Sequence, residues 1–325
     1  MAPKPGNYAV LEALQQEFRN DPHLTMLYEY QRPTAVSPTG QVIDLFSEFG
    51  PVRIPDWGPL DEEWFVGGAM GMAMTGVRSI AHLPSMTTLR TYELVFNQIG
   101  KLRHMTGGQA NMPITLWIDA AGRNAGLAGQ HSDAGQEAQY AALPGTTVVV
   151  PSDPYDLKGL MTSALRYPDP VIIFHYGGIN NVQVDVPDGE VVVPIGQAAV
   201  RQEGTDLTIV GVAPATLEIT KALPGLKEAG ISAEFIDLRT IKPLPMDTVI
   251  ASVRKTGRLL AVDHGHETLG TPAEVIARVA MAVPGAKVAR VTFPDAPPPG
   301  ARNMIAWMTP DAPKIIEAAR KVVAA

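Results

Sequence analysis

Glu62 opens the stretch of this chain that says most about chemistry. It lies in Pro59–Gly76, PLDEEWFVGGAMGMAMTG, where an acidic cluster begins a long predicted helix dense in glycine, alanine and methionine. A glycine in a helix interior costs roughly 1 kcal/mol relative to alanine. Gly67, Gly68 and Gly71 therefore predict that something packs very close to this backbone. A carboxylate at such a helix start, Glu62 or a neighbour, would be aimed at a packed subunit interface or a bound ligand. A helix packed tightly in a core beneath an exposed acidic cap would show the same spacing, and the two readings stay open.

The second candidate is His131. Residues 119–133, DAAGRNAGLAGQHSD, form a glycine-rich loop after a predicted strand, and loops at the carboxyl ends of parallel strands are where α/β folds place ligands. A histidine flanked there by small polar residues can exchange protons near neutral pH, or it can tie the loop to the backbone. His264 and His266 in DHGHE resemble a metal pair, but no second cluster with ligand spacing accompanies them. His82 and His175 sit at strand ends, as satisfied structural histidines do. Ser132 lacks the G-x-S-x-G elbow of a hydrolase nucleophile. Neither G-x-x-x-x-G-K-[ST] nor a strand-to-helix G-x-G-x-x-G occurs, so a phosphorylated cofactor would need its phosphate grip from elsewhere.

These residues need a scaffold, and the composition describes one. The 325 residues suffice for two domains, and 46% hydrophobic against 18% charged residues fits sizeable cores and surface hidden in an oligomer. A net charge of −7 argues against a nucleic-acid partner. The absence of cysteine excludes disulfides, thiolate metal sites and a cysteine nucleophile. The opening MAPKPGNYAV lacks the regions of a signal peptide, and no apolar run approaches the roughly 18 residues of a membrane span. The expectation is a soluble cytoplasmic protein without membrane contact.

Strand-like and helix-like segments alternate, which predicts an α/β fold with largely parallel sheets. Helical spacing marks 7–20 and 88–105. Strands are predicted at 24–28, 79–83, 114–118, 146–150 and 171–174. Ser152 or Asp153 caps a helix that begins at Pro154. Glycine, proline and asparagine cluster over 176–195 without periodicity, which places a boundary between domains 1–185 and 186–325. A second set of strands follows near 207–212, 233–238, 259–262 and 287–291, with a closing helix at 313–323.

In order along the chain, five segments carry a resemblance that runs from about residue 8 to 323. They are PLDEEWFVGGAMGMAMTG, NQIGKLRHMTGGQANMPI, the QHS of Gln130–Ser132, LPGTTVVVPSDPYDLKGLMTSALRYPDPVI and FIDLRTIKPLPMDTVIASVRKTGRLLAVDHG. The chain resembles the β subunits of thiamine-diphosphate-dependent 2-oxo acid dehydrogenases, the E1β family, which includes the pyruvate, branched-chain 2-oxo acid and acetoin dehydrogenases. The resemblance implies two three-layer α/β/α domains, a transketolase-like pyrimidine-binding domain and a transketolase C-terminal domain. Glu62 matches the family glutamate that bonds the aminopyrimidine ring of the cofactor and promotes loss of the thiazolium proton. His131 matches the active-site histidine, suited to proton transfer or to holding the 2-oxo acid carboxylate. Glu29 falls where the family has an interface acid near the cofactor. The resemblance also implies an α subunit with a GDG…N motif that holds the diphosphate and Mg²⁺, in an α₂β₂ heterotetramer. It leaves open a structural K⁺ near PSDPYD and transfer to a lipoyl-bearing acyltransferase.

Two segments depart from the family. Where an aromatic residue usually covers the aminopyrimidine, this chain reads LPSMTTLR, and Met86 or Leu89 would have to cover the ring instead. HYGGINNVQV replaces a run bearing glutamate, lysine and tyrosine, and His82 stands where an acid is common. An atypical substrate follows as an expectation. A split transketolase doing ketol transfer or carboligation, and a non-catalytic partner of an α-type chain, are the alternatives; a binding protein of α/β type would need the ordered matches to be accidental.

Overall fold

A computed structural model describes residues 2–28, 32–55, 61–84, 89–120 and 134–325. The described residues fall into two compact units, one drawn from the first 120 residues and 140–195, the other from 134–139 and 196–325.

The first unit is built on parallel strands β1 (Thr25–Tyr28), β2 (Ser79–Pro84), β3 (Ile114–Ala120), β4 (Thr147–Val149) and β5 (Val171–Tyr176), in the order β4-β5-β3-β2-β1. The strands are near-continuous apolar runs buried along their length, as expected of parallel strands covered on both faces. Three helices frame them: α1 (Gly6–Asn20), α2 (Glu62–Met74) and α3 (Pro154–Leu165). In α1 the predicted stripe of Leu11, Leu14 and Phe18 is buried, and α1 packs on α3. Of the two expected caps for α3 it is Asp153 that acts, accepting the Asp156 backbone N–H at 2.7 Å.

The helix expected over 88–105 is interrupted. Leu94–Ile99 forms a wide π-helical turn and only Leu102–Met105 is α-helical beyond it. The cause is Gly100, where a Cβ would lie 2.8 Å from the carbonyl oxygen of Pro144. Gly145 faces it at φ +81°, and a Cβ there would lie 1.7 Å from the Gly100 carbonyl oxygen. Backbone approaches backbone at this point, and regular helix gives way to it.

The glycines of α2 behave unequally. A Cβ on Gly68 would meet Leu27 Cδ1 at 2.8 Å, the close approach the sequence predicts, whereas Gly71 meets nothing within 4 Å. Phe65, Val66, Ala69 and Ala73 are buried, while Gly67, Met70, Gly71 and Met74 occupy a side that stays partly or fully open. A helix apolar on both sides is characteristic of one covered all round.

The second unit carries β6 (Ala199–Gln202), β7 (Leu207–Gly211), β8 (Ala233–Asp237), β9 (Arg258–His266) and β10 (Lys287–Phe293), in the order β6-β8-β7-β9-β10. All are parallel except β6, which runs antiparallel to β8 at one edge and is absent from the sequence reading. Helices α4 (Ala215–Glu228), α5 (Met246–Thr256), α6 (Thr271–Ala282), α7 (Arg302–Met308) and α8 (Ala312–Ala324) complete the unit. Leu207, Ile209, Ile219, Phe235, Leu260 and Ile315 form its core. Among the described residues no helix is long and apolar enough to cross a membrane.

One buried ion pair ties the first unit's helical layer together. Lys158 of α3 is fully buried, with Nζ 3.0 Å from Glu12 Oε2 on α1 and donating to the Pro187 carbonyl at 2.6 Å. Lys4 closes on the other oxygen of Glu12 at 2.7 Å. Burial pulls the Lys158 ammonium below its ordinary pKa, and its hydrogen bond to Glu12 opposes this. Lys158→Met removes the charge while keeping most of the volume. It is expected to cost about 3 kcal/mol, since a carboxylate is left with half its compensation. Urea unfolding at neutral pH measures this, and a loss below roughly 1 kcal/mol would show that Lys4 suffices for Glu12.

Candidate functional site

The carboxyl ends of β1, β2 and β3 lead in sequence into residues 29–31, 85–88 and 121–133. The expected residues Glu29, Met86 and His131 belong to these segments and lie outside the described residues. Glu62 and Leu89 are described. Asp61 caps α2 by accepting the Glu63 N–H at 2.9 Å, which sets Glu62 in the first turn, where the helix dipole favours an anion. Glu62 is only 4% exposed, and its Oε2 is buried without a hydrogen bond among the described residues. Arg90 Nη1 stands 3.3 Å from that oxygen. Leu89, next to Arg90 in a short helical turn, is exposed.

At the carboxyl ends of β2, β3 and β5, three strands bring together a polar cluster that the sequence reading did not join. The register sets His82 of β2 opposite Trp117, and Asp119 of β3 opposite His175 of β5. His82 Nε2–H donates to Asp119 Oδ2 at 3.0 Å, and His175 Nδ1 lies 3.5 Å from Asp119 Oδ1. Trp117 donates its indole N–H to His175 Nδ1 at 3.4 Å, and His175 Nε2–H donates to Asn180 Oδ1 at 2.9 Å. The His82 ring stacks on Trp117 with centroids 3.9 Å apart. A cavity of about 360 Å³ opens here, with Arg32, Thr34, His82, Asp119, His175 and Asn180 among its lining residues.

Burial pushes the Asp119 carboxyl up, but the field of the His82 ring, the hydrogen bond from His82 and the neighbouring His175 ring outweigh it. They hold Asp119 well below the usual carboxylate range. His175 is thus a satisfied strand-end histidine as expected. His82 differs, because its Nδ1 is buried with no partner among the described residues. The signal available in the sequence was positional: SIAHLP, ITLWIDA and VIIFHY each interrupt an apolar run with one ionisable residue just before the strand ends.

In the second unit the DHGHE turn ends β9. Asp263 is fully buried; burial raises its carboxyl to about 6, opposed by the backbone N–H groups of Gly265 and His264 and the Thr271 hydroxyl. Gly135, four residues after His131, sits against this turn at φ +71°, and a Cβ there would lie 2.4 Å from Gly265 Cα. Ala134 packs with Phe293 and Met308. Ala134 and Gly135 are therefore seated on the ends of β9 and β10. His266 Nδ1–H donates to the Pro294 carbonyl at 3.0 Å. No group of three His, Asp or Glu with metal-holding geometry occurs among the described residues.

The chain matches the family model for the transketolase pyrimidine-binding domain over residues 7–176 and that for the transketolase C-terminal domain over 196–315. It is 35% identical to the pyruvate dehydrogenase E1 component subunit beta of Bacillus subtilis, covering 97% of both chains. It is 34% identical to the acetoin:2,6-dichlorophenolindophenol oxidoreductase subunit beta of Cupriavidus necator, covering 97% of this chain and 96% of that one. The chain belongs to the transketolase-like E1β family. The fold agrees: a split-gene transketolase solved as an inactive β4 tetramer superposes with a TM-score of 0.81 over 98% of both chains, at 21% identity.

Membership in the E1β family brings with it thiamine diphosphate dependence and work alongside an α subunit. The residues present fit the cofactor's ring: a buried carboxylate at a helix start, with one oxygen unbonded among the described residues, suits a ring nitrogen that shares a proton.

Asp119 sits below its unfolded pKa of about 4, so its pairing stabilises the E1β chain above that pH and the benefit fades as acid protonates the group. Asp119→Asn is expected to lower the urea midpoint clearly at pH 7 and progressively less towards about pH 3. A difference independent of pH would show that Asp119 acts through packing alone.

Proposed function

We propose that this chain is the β component of an E1-type 2-oxo acid dehydrogenase, decarboxylating its substrate at a site completed by an α subunit. The observation that carries the reading is the Glu62 carboxylate, buried at the start of α2 with Oε2 unbonded among the described residues. When bound, thiamine diphosphate supplies the electron sink for decarboxylation. Glu62 meets the aminopyrimidine ring nitrogen and carries the proton exchanged there. His131 transfers a proton to the substrate or holds its carboxylate, and Glu29 hydrogen-bonds at the interface beside the cofactor. Met86 or Leu89 covers the ring face, since an unbranched thioether or an isobutyl group can pack on a π surface; Leu89, exposed in this chain by itself, has the side chain free to do so.

The diphosphate and Mg²⁺ fall to the α subunit, through a GDG…N motif, because this chain carries no phosphate-binding loop of its own. The assembly proposed is α₂β₂. A structural K⁺ near Ser152–Asp156 and onward transfer to a lipoyl-bearing acyltransferase belong to the same proposal. The relatives' names put pyruvate and acetoin first among the compounds to try.

The test is co-expression with an α-type chain, cofactor and Mg²⁺, followed by a panel of 2-oxo acids, acetoin and ketose phosphates. Turnover of a 2-oxo acid or of acetoin with an artificial electron acceptor is expected, with little from ketose phosphates. Glu62→Gln is expected to lower kcat at least about a hundredfold in the assembled complex, the usual scale for a lost acid–base group. Unchanged turnover would remove this chain from the chemistry and leave it a supporting partner.

A further inference from the structure

The contact between Arg90 and Glu62 is unusual for a carboxylate that has to receive a ring. Glu62 Oε2 is buried and makes no hydrogen bond among the described residues, and the charge that covers it is the Arg90 guanidinium at 3.3 Å. The Arg90 side chain is 58% exposed. Its contact with Glu62 is an ion pair without hydrogen-bond alignment. Such a contact compensates a buried charge but holds its cation weakly, because much of the guanidinium is hydrated. The ring nitrogen of a cofactor and Arg90 both require the same face of one carboxylate.

We propose that Arg90 is the exchangeable cover of Glu62: it neutralises the carboxylate in the free chain and turns out to solvent when the aminopyrimidine ring takes its place, so that Arg90 sets cofactor affinity. This rests on the reading of Glu62 as the cofactor carboxylate. Arg90 is a positioning residue, acting through Glu62. The exchange asks little of the fold, since the guanidinium is already at the surface and only its side-chain torsions need change. Removing it leaves Glu62 uncompensated in the free chain and without a competitor in the loaded one, and both changes favour the bound state.

Two measurements test this on wild type, Arg90→Gln and Arg90→Lys. In the complex with the α subunit, stripped of cofactor, titration with thiamine diphosphate and Mg²⁺ by calorimetry is expected to give Arg90→Gln a Kd about threefold to tenfold lower than wild type, the scale of a partly exposed ion pair. Arg90→Lys, which keeps the charge, is expected to return most of the wild-type value. In the free chain, coupling of glycine ethyl ester to Glu62 by carbodiimide, read by peptide mass spectrometry, is expected to run several-fold faster in Arg90→Gln. Equal or weaker affinity in Arg90→Gln overturns the competition. Unchanged labelling of Glu62 overturns the cover, whatever the cofactor does. A wild-type complex that binds no thiamine diphosphate while its Glu62 labelling still responds to Arg90 overturns the cofactor reading instead, and with it the exchange.

Discussion

A parallel sheet covered on both faces leaves polar side chains only its ends. The strands of the first unit are apolar along almost their whole length because each side of the sheet is packed against helices. A charge in mid-strand would be stranded in the core at a cost of several kcal/mol. The ionisable residues His82, Asp119 and His175 therefore gather at the carboxyl ends, where a cavity lets one of them meet water. The same constraint accounts for Glu62, placed not on a strand but on the first turn of the helix between β1 and β2. The ionisable residues of these strands are confined to one end of the sheet by the apolar character of the rest.

The histidine cluster and the Lys158 network show two ways of keeping charge inside such a structure. Lys158 is wholly enclosed and answered by Glu12, which it shares with Lys4, and by a backbone carbonyl, so its job is cohesion between α1 and α3. Asp119 has a half-exposed edge and two imidazoles, and its charge is held rather than hidden. Glu62 is different from both, being buried with an oxygen left over among the described residues. A carboxylate kept incompletely satisfied at a helix start is poorly explained by stability, since a neutral residue there would cost less.

Much of the scaffold was legible in the sequence because its signals are local. Apolar runs gave the parallel strands, the cap at Asp153 and the proline after it gave the start of α3, and the acidic run gave the start of α2 with Glu62 in its first turn. What escaped depended on distant partners. His82, Asp119 and His175 lie on three strands far apart in sequence, and only the register β2-β3-β5 brings them within reach of one another. The π turn at Leu94–Ile99 answers to the backbone at 144–145, more than 40 residues on, which no helical spacing reports. The edge strand β6, AVRQ, has too short and too polar a pattern to declare itself. The glycines of α2 look alike in the sequence, yet Gly68 lies tight on Leu27, Gly67 would only touch Leu94 and Gly71 is open.

That open side of α2 also bears on how the chain behaves before it meets other chains. Gly67, Met70, Gly71 and Met74 lie on the helix that carries Glu62, so the carboxylate is held only as firmly as a half-covered helix allows. A small-residue surface permits another backbone to come unusually near, and closing it would restrict the sliding and turning of the whole helix. A helix carried half-covered in this way has room for a second wall, and its glycines keep that room open.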